Sequence, residues 1–395
     1  LIALVVLFFV QYYYWAIRYS RTPSYRETAR GNERPAVSIV MVLRETDYSF
    51  LDERLPELLA QEYDRFEVVV IDLTGDVEFS EALMVIAEHN RHFTSVRMVR
   101  DTRFPISDKM ALNVAIKSAR NDNILLTTVD SSPASRHWAE RMARGFDGAD
   151  VVIGYCGMTE GHGFSGRLLR AARACHSVRW LSAAIHGKPY RGTIHNIGFT
   201  KNLYRDNGGF NFLNMNIGED DLFIQKLLSN SHAAVVVTAN SLVRQHVWGG
   251  LSWWYAGRRL HSNTFKYYPA GTKLYIATEL WSRALFFASV AASAAILPPE
   301  IKIFAAALLL LLFGLVMFEM RRISLRLSER GIVRMVPLLD IFSPFYEAWI
   351  STARHFRRTP GICRYATTSF LPTHRLSSLP PPLPPPPSRP MSSLP

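Results

Sequence analysis

The sequence predicts an α/β domain with a mainly parallel, Rossmann-like sheet and helices on both faces, flanked by transmembrane helices. Two β-branched runs, "VSIVMVL" (37–43) and "FEVVVID" (66–72), have the unbroken apolar character of strands covered on both faces. Stretches of helical spacing alternate with these and later runs, and such alternation argues for a parallel sheet. Apolar stretches at 1–17 and 301–318 lie outside that pattern and match the ~17–25 residues that cross a bilayer.

Residues 1–17, "LIALVVLFFVQYYYWAI", carry no charge and only Gln11 as a strongly polar interruption. The run lacks a basic n-region and a small-residue cleavage pattern, and its Tyr/Trp cluster is of the interfacial kind. It reads as an anchor over 1–19 rather than a signal peptide, with a linker at 20–35. The chain begins without Met, which allows for residues ahead of Leu1.

The domain is expected over 36–250. Between its first two strands Phe50, Leu51, Leu55, Leu58 and Leu59 repeat with helical spacing. "SEALMVIAEHN" (80–90) reads as a helix, "SVRMV" (95–99) as a strand, and "SDKMALNVAIKSA" (107–119) as a helix capped by Ser107. "NILLTTVD" (123–130) and "DVVIGY" (150–155) read as strands, and a further strand is expected at 234–238. Residues 168–187 predict an amphipathic helix whose Arg170, Arg173 and Arg179 face phospholipid or solvent.

Beyond the domain, 251–272 mixes aromatic and basic residues as an interfacial helix does. Membrane helices are expected at 273–297 and 301–320, joined by a short external turn at 298–300. Residues 330–357 are amphipathic, interrupted by Pro344, and expected to lie in the membrane interface. The tail, 358–395, is proline-rich and expected to be disordered.

The net charge of +12 raises the question of nucleic acid. The cations, however, flank the apolar spans: Arg18, Arg21, Arg26 and Arg30 after the first, and Arg321, Arg322, Arg326, Arg330 and Arg334 after the last. The positive-inside rule then places the middle domain in the cytoplasm, and no nucleic-acid partner is needed to explain the charge. The three cysteines, Cys156, Cys175 and Cys363, share no metal or redox spacing and imply no disulfide framework.

Neither G-x-G-x-x-G nor G-x-x-x-x-G-K-[ST] is present, so the phosphate-binding devices of dinucleotide enzymes and P-loop ATPases are missing. Acids stand instead at strand ends, where parallel sheets bind ligands: Asp72 closes one strand and Asp130 another. A third acidic point, Glu219, Asp220 and Asp221 in "NIGEDDLFIQKLL", immediately precedes an apolar helical run. First-turn acids complement a helix dipole, and one of the three also suits a base aimed at a substrate.

Taken in order, "VSIVMVL", "LLAQEYDRFEVVVID", "SDKMALNVAIKSA", "LLTTVDSSPAS" and "GEDDLF" resemble the family 2 inverting glycosyltransferases of GT-A fold. The nearest kind is the membrane-anchored bacterial type, and the likeness runs from about residue 36 to 268. It implies that Asp72 contacts the nucleotide base, with Leu73 where a second acid is usual. Lys109 and Asn113 would lie near the nucleotide. Asp130 would bind the diphosphate and a divalent metal, Mg²⁺ or Mn²⁺, with Thr128 where the metal motif has its first acid. Asp220 would be the general base, with Glu219, Asp221 and Asn196 on the acceptor side. In "WWYAGRRLHSNTFKYY" (253–268), Arg258 and Arg259 would steady the departing diphosphate. Ala256 and Leu260 stand where polymerising members carry Gln and Trp, which argues against processive extension. His246 has a metal-binding reading and a structural, hydrogen-bonded one.

The function so implied is sugar transfer from a nucleotide-sugar donor to a lipid or lipid-linked glycan of the cell envelope, at the cytoplasmic face of a bacterial inner membrane. Two alternatives stay open: a polysaccharide synthase subunit, and a catalytically degenerate GT-A membrane scaffold or binding protein.

Overall fold

A computed structural model describes residues 1–27, 34–99, 106–159, 161, 163–210, 218, 221–228, 232–247 and 249–356. Helix α1 (Ile2–Tyr12) continues through a π-helical stretch (Tyr13–Tyr19) into α2 (Arg21–Ser24). The sheet domain opens with β1 (Val37–Leu43), a short π-helix (Phe50–Arg54) and α3 (Leu55–Leu59). Next come β2 (Phe66–Asp72), α4 (Val77–His89), β3 (Phe93–Arg97), α5 (Asp108–Ser118) and β4 (Asn123–Leu126). The chain then forms β5 (Ser131–Pro133), α6 (Trp138–Arg144), β6 (Val151–Gly154), β7 (Cys156–Met158) and α7 (Gly163–Ile185). The domain closes with β8 (Ile197–Thr200), α8 (Lys201–Asp206), α9 (Leu222–Leu227), β9 (Ala233–Val236) and β10 (Val243–Gln245). Four helices follow: α10 (Leu251–Ser262), α11 (Ala270–Ile296), α12 (Pro299–Arg326) and α13 (Val336–Phe356).

The main sheet has the order β3-β2-β1-β4-β8-β6-β9, and a small second sheet has the order β5-β10-β7. Pairs β1–β2, β1–β4, β2–β3 and β6–β9 are parallel, whereas β8 runs antiparallel to both β4 and β6. This is the mainly parallel α/β architecture the sequence predicts. Alternation along β1 explains the unbroken apolar run: Val37, Ile39, Met41 and Leu43 pack on one face with Phe50, Leu55, Phe79 and Trp138. Val40, Val69 and Ile71 pack on the other face with Ala111, Leu112, Ala115 and Ile116.

Local signals set the helix starts. Asp76 caps α4 by accepting from Phe79 N at 3.1 Å, and Ser107 caps α5 by accepting from Met110 N at 3.2 Å. Gly198 lets β8 fit between its neighbours. A Cβ there would stand 2.7 Å from the side chains of Leu125 and Phe146 and 3.0 Å from the Ile124 carbonyl.

Several boundaries differ from expectation. Strand β4 ends at Leu126, because Thr128 and Asp130 turn away to hydrogen bond with Ser131, His195 and Gln245. The interfacial helix stops at Ser262, a 3₁₀ turn (Phe265–Tyr267) intervening before α11. Helix α13 runs through Pro344 unbroken; the Asp340 carbonyl, deprived of a backbone donor, accepts the Ser343 hydroxyl at 3.5 Å. Arg170, Arg173 and Arg179 of α7 do not face solvent. Arg170 is paired with the buried Glu329 at 2.9 Å, Arg173 donates to Gln245, and Arg179 lies 3.4 Å from Glu279. Their partners come from segments distant in sequence, which a helical wheel does not reveal.

Among the described residues, two helices are long and apolar enough to cross a membrane, Ile2–Ser24 and Pro299–Arg326. Helix α11 is not one of them. Glu279 and Arg283 sit in its first half, ion-paired with each other, and Arg283 also meets Asp340 at 2.9 Å. Helix α1 packs on α11 through Phe8 and Phe286, and Gln11 Nε2 donates to Ser282 Oγ at 2.9 Å. The proline-rich tail lies outside the described residues.

Candidate active site

Strands β1, β2 and β4 run parallel, with Leu43 in register with Asp72, so their carboxyl ends open to one edge. Asp72 is 1% exposed there. Its Oδ1 accepts from Thr74 N at 2.8 Å and Thr74 Oγ1 at 2.6 Å, and its Oδ2 accepts from Ser80 Oγ. The carboxylate therefore shapes the turn leaving β2 from beneath.

Asp130 is the better-presented acid. Thr128 Oγ1 lies 2.5 Å from its Oδ1, and Gln245 Nε2 donates to its Oδ2 at 2.8 Å. Its carbonyl accepts from His246 N at 2.7 Å. The small sheet brings these groups together, since β10 pairs antiparallel with β5 and places Gln245 opposite Ser131. Gln245 is in turn oriented by Arg173, whose Nη2 donates to Gln245 Oε1 at 2.7 Å. The amide thus has one available orientation, with its NH₂ toward Asp130.

His195 completes the cluster. Its Nδ1 lies 2.6 Å from Thr128 Oγ1, 3.1 Å from Ser131 Oγ and 3.8 Å from Asp130 Oδ1. A hydroxyl carries one proton, so when Thr128 donates to Asp130, His195 holds its proton on Nδ1 and donates to Thr128. Thr128, standing in place of an acid, thus works as a hydrogen-bond hub. His246 takes the structural place: Nε2 lies 3.0 Å from Ser132 Oγ, and burial, then Arg54, pushes its pKa below the ordinary histidine value.

Sequence reasoning missed His195 and Gln245. Each adjoins a residue it singled out, Asn196 and His246: side-chain direction reverses between Gln245 and His246 where β10 ends, and His195 and Asn196 lie in the turn that enters β8. Asn196 is fully buried. Its Oδ1 accepts from Trp138 Nε1 at 3.0 Å, and its Nδ2 donates to the carbonyls of Tyr155 and Ser241 at 2.9 Å each. That amide is spent inside the protein and presents nothing to an acceptor.

Lys109 is buried on α5, and Asn113 Oδ1 accepts from the Tyr204 hydroxyl. Glu219 and Asp220 lie outside the described residues. Asp221 is fully buried and caps α9: Oδ1 accepts from Leu222 N at 2.6 Å, and Oδ2 accepts from Tyr268 OH at 2.8 Å and from Thr264 Oγ1. Arg258 pairs with Glu347 and reaches His176 Nε2 at 2.9 Å, whereas Arg259 is half-buried on the same helix.

Among the described residues no group of three or more His, Cys, Asp or Glu side chains is arranged to hold a metal. Asp130 alone fits a different arrangement. A carboxylate has about four lone-pair sites, of which Thr128, Gln245 and, at 3.5 Å, Ser131 engage three, and Mg²⁺-type ions take one or two carboxylates plus phosphate and water.

No protein-family model matches the chain, and no curated protein sequence aligns with it significantly. Its fold is shared with solved structures. The mannosyltransferase PcManGT from Pyrobaculum calidifontis, in complex with GDP-Man and Mn²⁺, superposes with a TM-score of 0.54 at 17% identity, over 87% of this chain and 98% of that one. S. aureus TarS 1–349 in complex with UDP-GlcNAc aligns at 14% identity and a TM-score of 0.42, over 81% of this chain and 92% of that one. The architecture is that of a GT-A glycosyltransferase fold.

Proposed function

We propose that the chain is an inverting glycosyltransferase that moves one sugar from a nucleotide-sugar donor to a lipid or lipid-linked glycan acceptor. The observation that carries this reading is Asp130, held between Thr128 and Gln245 beyond the carboxyl end of β4 in a GT-A fold. A bound Mg²⁺ or Mn²⁺ would offset the charge of the departing diphosphate. Asp130 would supply the protein's carboxylate to that ion, oriented by Gln245 and Arg173. Lys109, Asn113 and Arg259 would line the donor side, and Asp72 would hold the turn on which the base rests. Asp220 would take the proton from the acceptor hydroxyl as that oxygen attacks the anomeric carbon and the bond to diphosphate breaks. A hydroxyl is a poor nucleophile, which is why the reaction needs such a base.

Membrane attachment, with the domain on the cytoplasmic side, is supported by the two apolar helices and by the cations beyond them. It is also supported by the outward face of α13, where Phe342, Phe345 and Trp349 are 56–63% exposed at helical spacing.

The test is nucleotide release from a panel of nucleotide-sugars by detergent-purified protein with Mn²⁺, Mg²⁺ or EDTA. Metal-dependent release, lost in Asp130→Asn and Asp220→Asn, is the expected result. Polymer product made only with a co-purified partner would favour the synthase reading, whereas tight donor binding without turnover toward any acceptor would favour the scaffold.

A further inference from the structure

Glu329 lies just past the end of α12, and its side chain is fully buried. Four donors meet its carboxylate. Oε1 accepts from the Tyr155 hydroxyl at 3.0 Å and from Arg244 Nη1, and Oε2 accepts from Arg170 Nε at 3.1 Å and Nη2 at 2.9 Å. These use the ~four lone-pair sites a carboxylate has. Arg244 grips the same turn a second time, its Nη2 donating at 2.8 Å to the carbonyls of Leu327 and Ser328. Ser328 is the one non-glycine residue among those described with a positive φ, +52°, a conformation that favours glycine. Gly157 of β7, in register with Arg244, leaves room for the pair: a Cβ there would overlap both Arg244 Nη1 and Glu329 Oε1.

This ion cluster is one residue away from the Asp130 site. Gln245, which follows Arg244 in β10, donates to Asp130 Oδ2 at 2.8 Å, and His246 N donates to the Asp130 carbonyl at 2.7 Å. On α7, Arg170 and Arg173 are three residues apart and share a face; the first pairs with Glu329, and the second donates to Gln245 Oε1 at 2.7 Å. Strand β10 is only Val243–Gln245, too short for its ladder alone to fix it, and it is tied to α7 at two successive residues. The tie at Arg244 runs through a carboxylate from beyond α12. Buried ion clusters add little net stability over apolar packing of equal volume, whereas they do impose one geometry.

We infer that Glu329 is a positioning residue for the Asp130 carboxylate: through Arg244 it fixes β10, and β10 aims Gln245 and His246 N at Asp130. Its catalytic consequence rests on the transferase reading, in which Asp130 carries a divalent ion. The segment behind α12, one of the two helices long and apolar enough to cross a membrane, thereby becomes part of the site's scaffold.

The test compares Glu329→Gln, Arg244→Gln and Arg170→Gln in the full, detergent-purified chain. Arg244→Gln cuts the tie to β10 while Tyr155 and Arg170 still satisfy Glu329, so it serves if Glu329→Gln does not fold. Arg170→Gln weakens the same cluster but leaves that tie in place. Two quantities are read: hydrogen exchange over 128–133 and 243–246 by mass spectrometry, and Mn²⁺ affinity by electron paramagnetic resonance with UDP or GDP present. In Glu329→Gln and Arg244→Gln both segments should exchange faster, and Mn²⁺ should bind about 10-fold more weakly, the lower end of what residues behind a metal's ligands cost. Arg170→Gln should melt earlier yet keep the parent's exchange and affinity. A merely structural Glu329 would make both quantities follow the melting temperature in all three variants. That result, or parental exchange in Arg244→Gln, would overturn the inference. If the parent takes up no Mn²⁺ with either nucleotide and turns over no donor, the transferase reading falls, and the exchange pattern alone decides whether Glu329 sets β10.

Discussion

Replacing Asn196 by Ala separates two roles for that residue, contact with an acceptor and support of the sheet. In the structure its amide serves three buried groups: Trp138 Nε1, and the carbonyls of Tyr155 and Ser241. The Tyr155 carbonyl keeps a second donor, Val243 N at 3.2 Å, so the substitution strands two groups, the indole N–H and the Ser241 carbonyl. A buried group left without its partner costs about 1–3 kcal/mol, which puts the loss at about 2–6 kcal/mol. At roughly 2–4 °C per kcal/mol for a domain of this size, a central value of ~4 kcal/mol lowers the melting temperature by about 12 °C. Asn196→Asp should be at least as damaging, because it removes both donated bonds and buries a charge. The assay is thermal unfolding of detergent-purified protein at fixed scan rate, run beside nucleotide release. A fall of less than about 2 °C in Asn196→Ala, with release lost, would refute the structural account and restore the acceptor role.

Glu329→Gln leaves Arg170 and Arg244 without their shared carboxylate, and breaking so buried a pair costs about 3–5 kcal/mol. Its melting temperature should fall by a similar ~12 °C, and a fall within experimental error would show that the hub is idle. Gly198→Ala sets a methyl group 2.7 Å from Leu125 and Phe146 in the middle of the sheet; overpacking of about 1–3 kcal/mol should appear as a lower urea midpoint with unchanged slope. The folded His176 ring resists protonation while the unfolded ring accepts a proton below ~6.5, so stability is complete above that pH and is lost as the pH falls beneath it. Between pH 7.5 and 5.5 the loss is at most about 1.4 kcal/mol, and the acid slope of melting temperature should be shallower in His176→Gln than in the parent; identical slopes would assign the acid sensitivity elsewhere.

What was legible in the sequence was whatever depends on near neighbours. The runs at 37–43 and 66–72 are strands because both faces are covered, and Ser107 caps α5 through a bond three residues away. What escaped was whatever depends on distant pairing. Arg170 looks like a surface cation on a helical wheel, yet its carboxylate lies 159 residues further along the chain. The small sheet is made of three-residue strands, too short for any period to show, and it is this sheet that brings Gln245 to Asp130. Thr128 read as a lost ligand because a motif counts acids; in three dimensions it links Asp130 to His195.

Asp221, the last acid of the run 219–221, serves the fold. Three donors, Leu222 N, Thr264 Oγ1 and Tyr268 OH, surround its buried carboxylate. Two of these donors come from the connection between α10 and α11, so Asp221 fastens the start of α9 to that connection. Buried and bound by three donors, it has no face to offer a substrate hydroxyl.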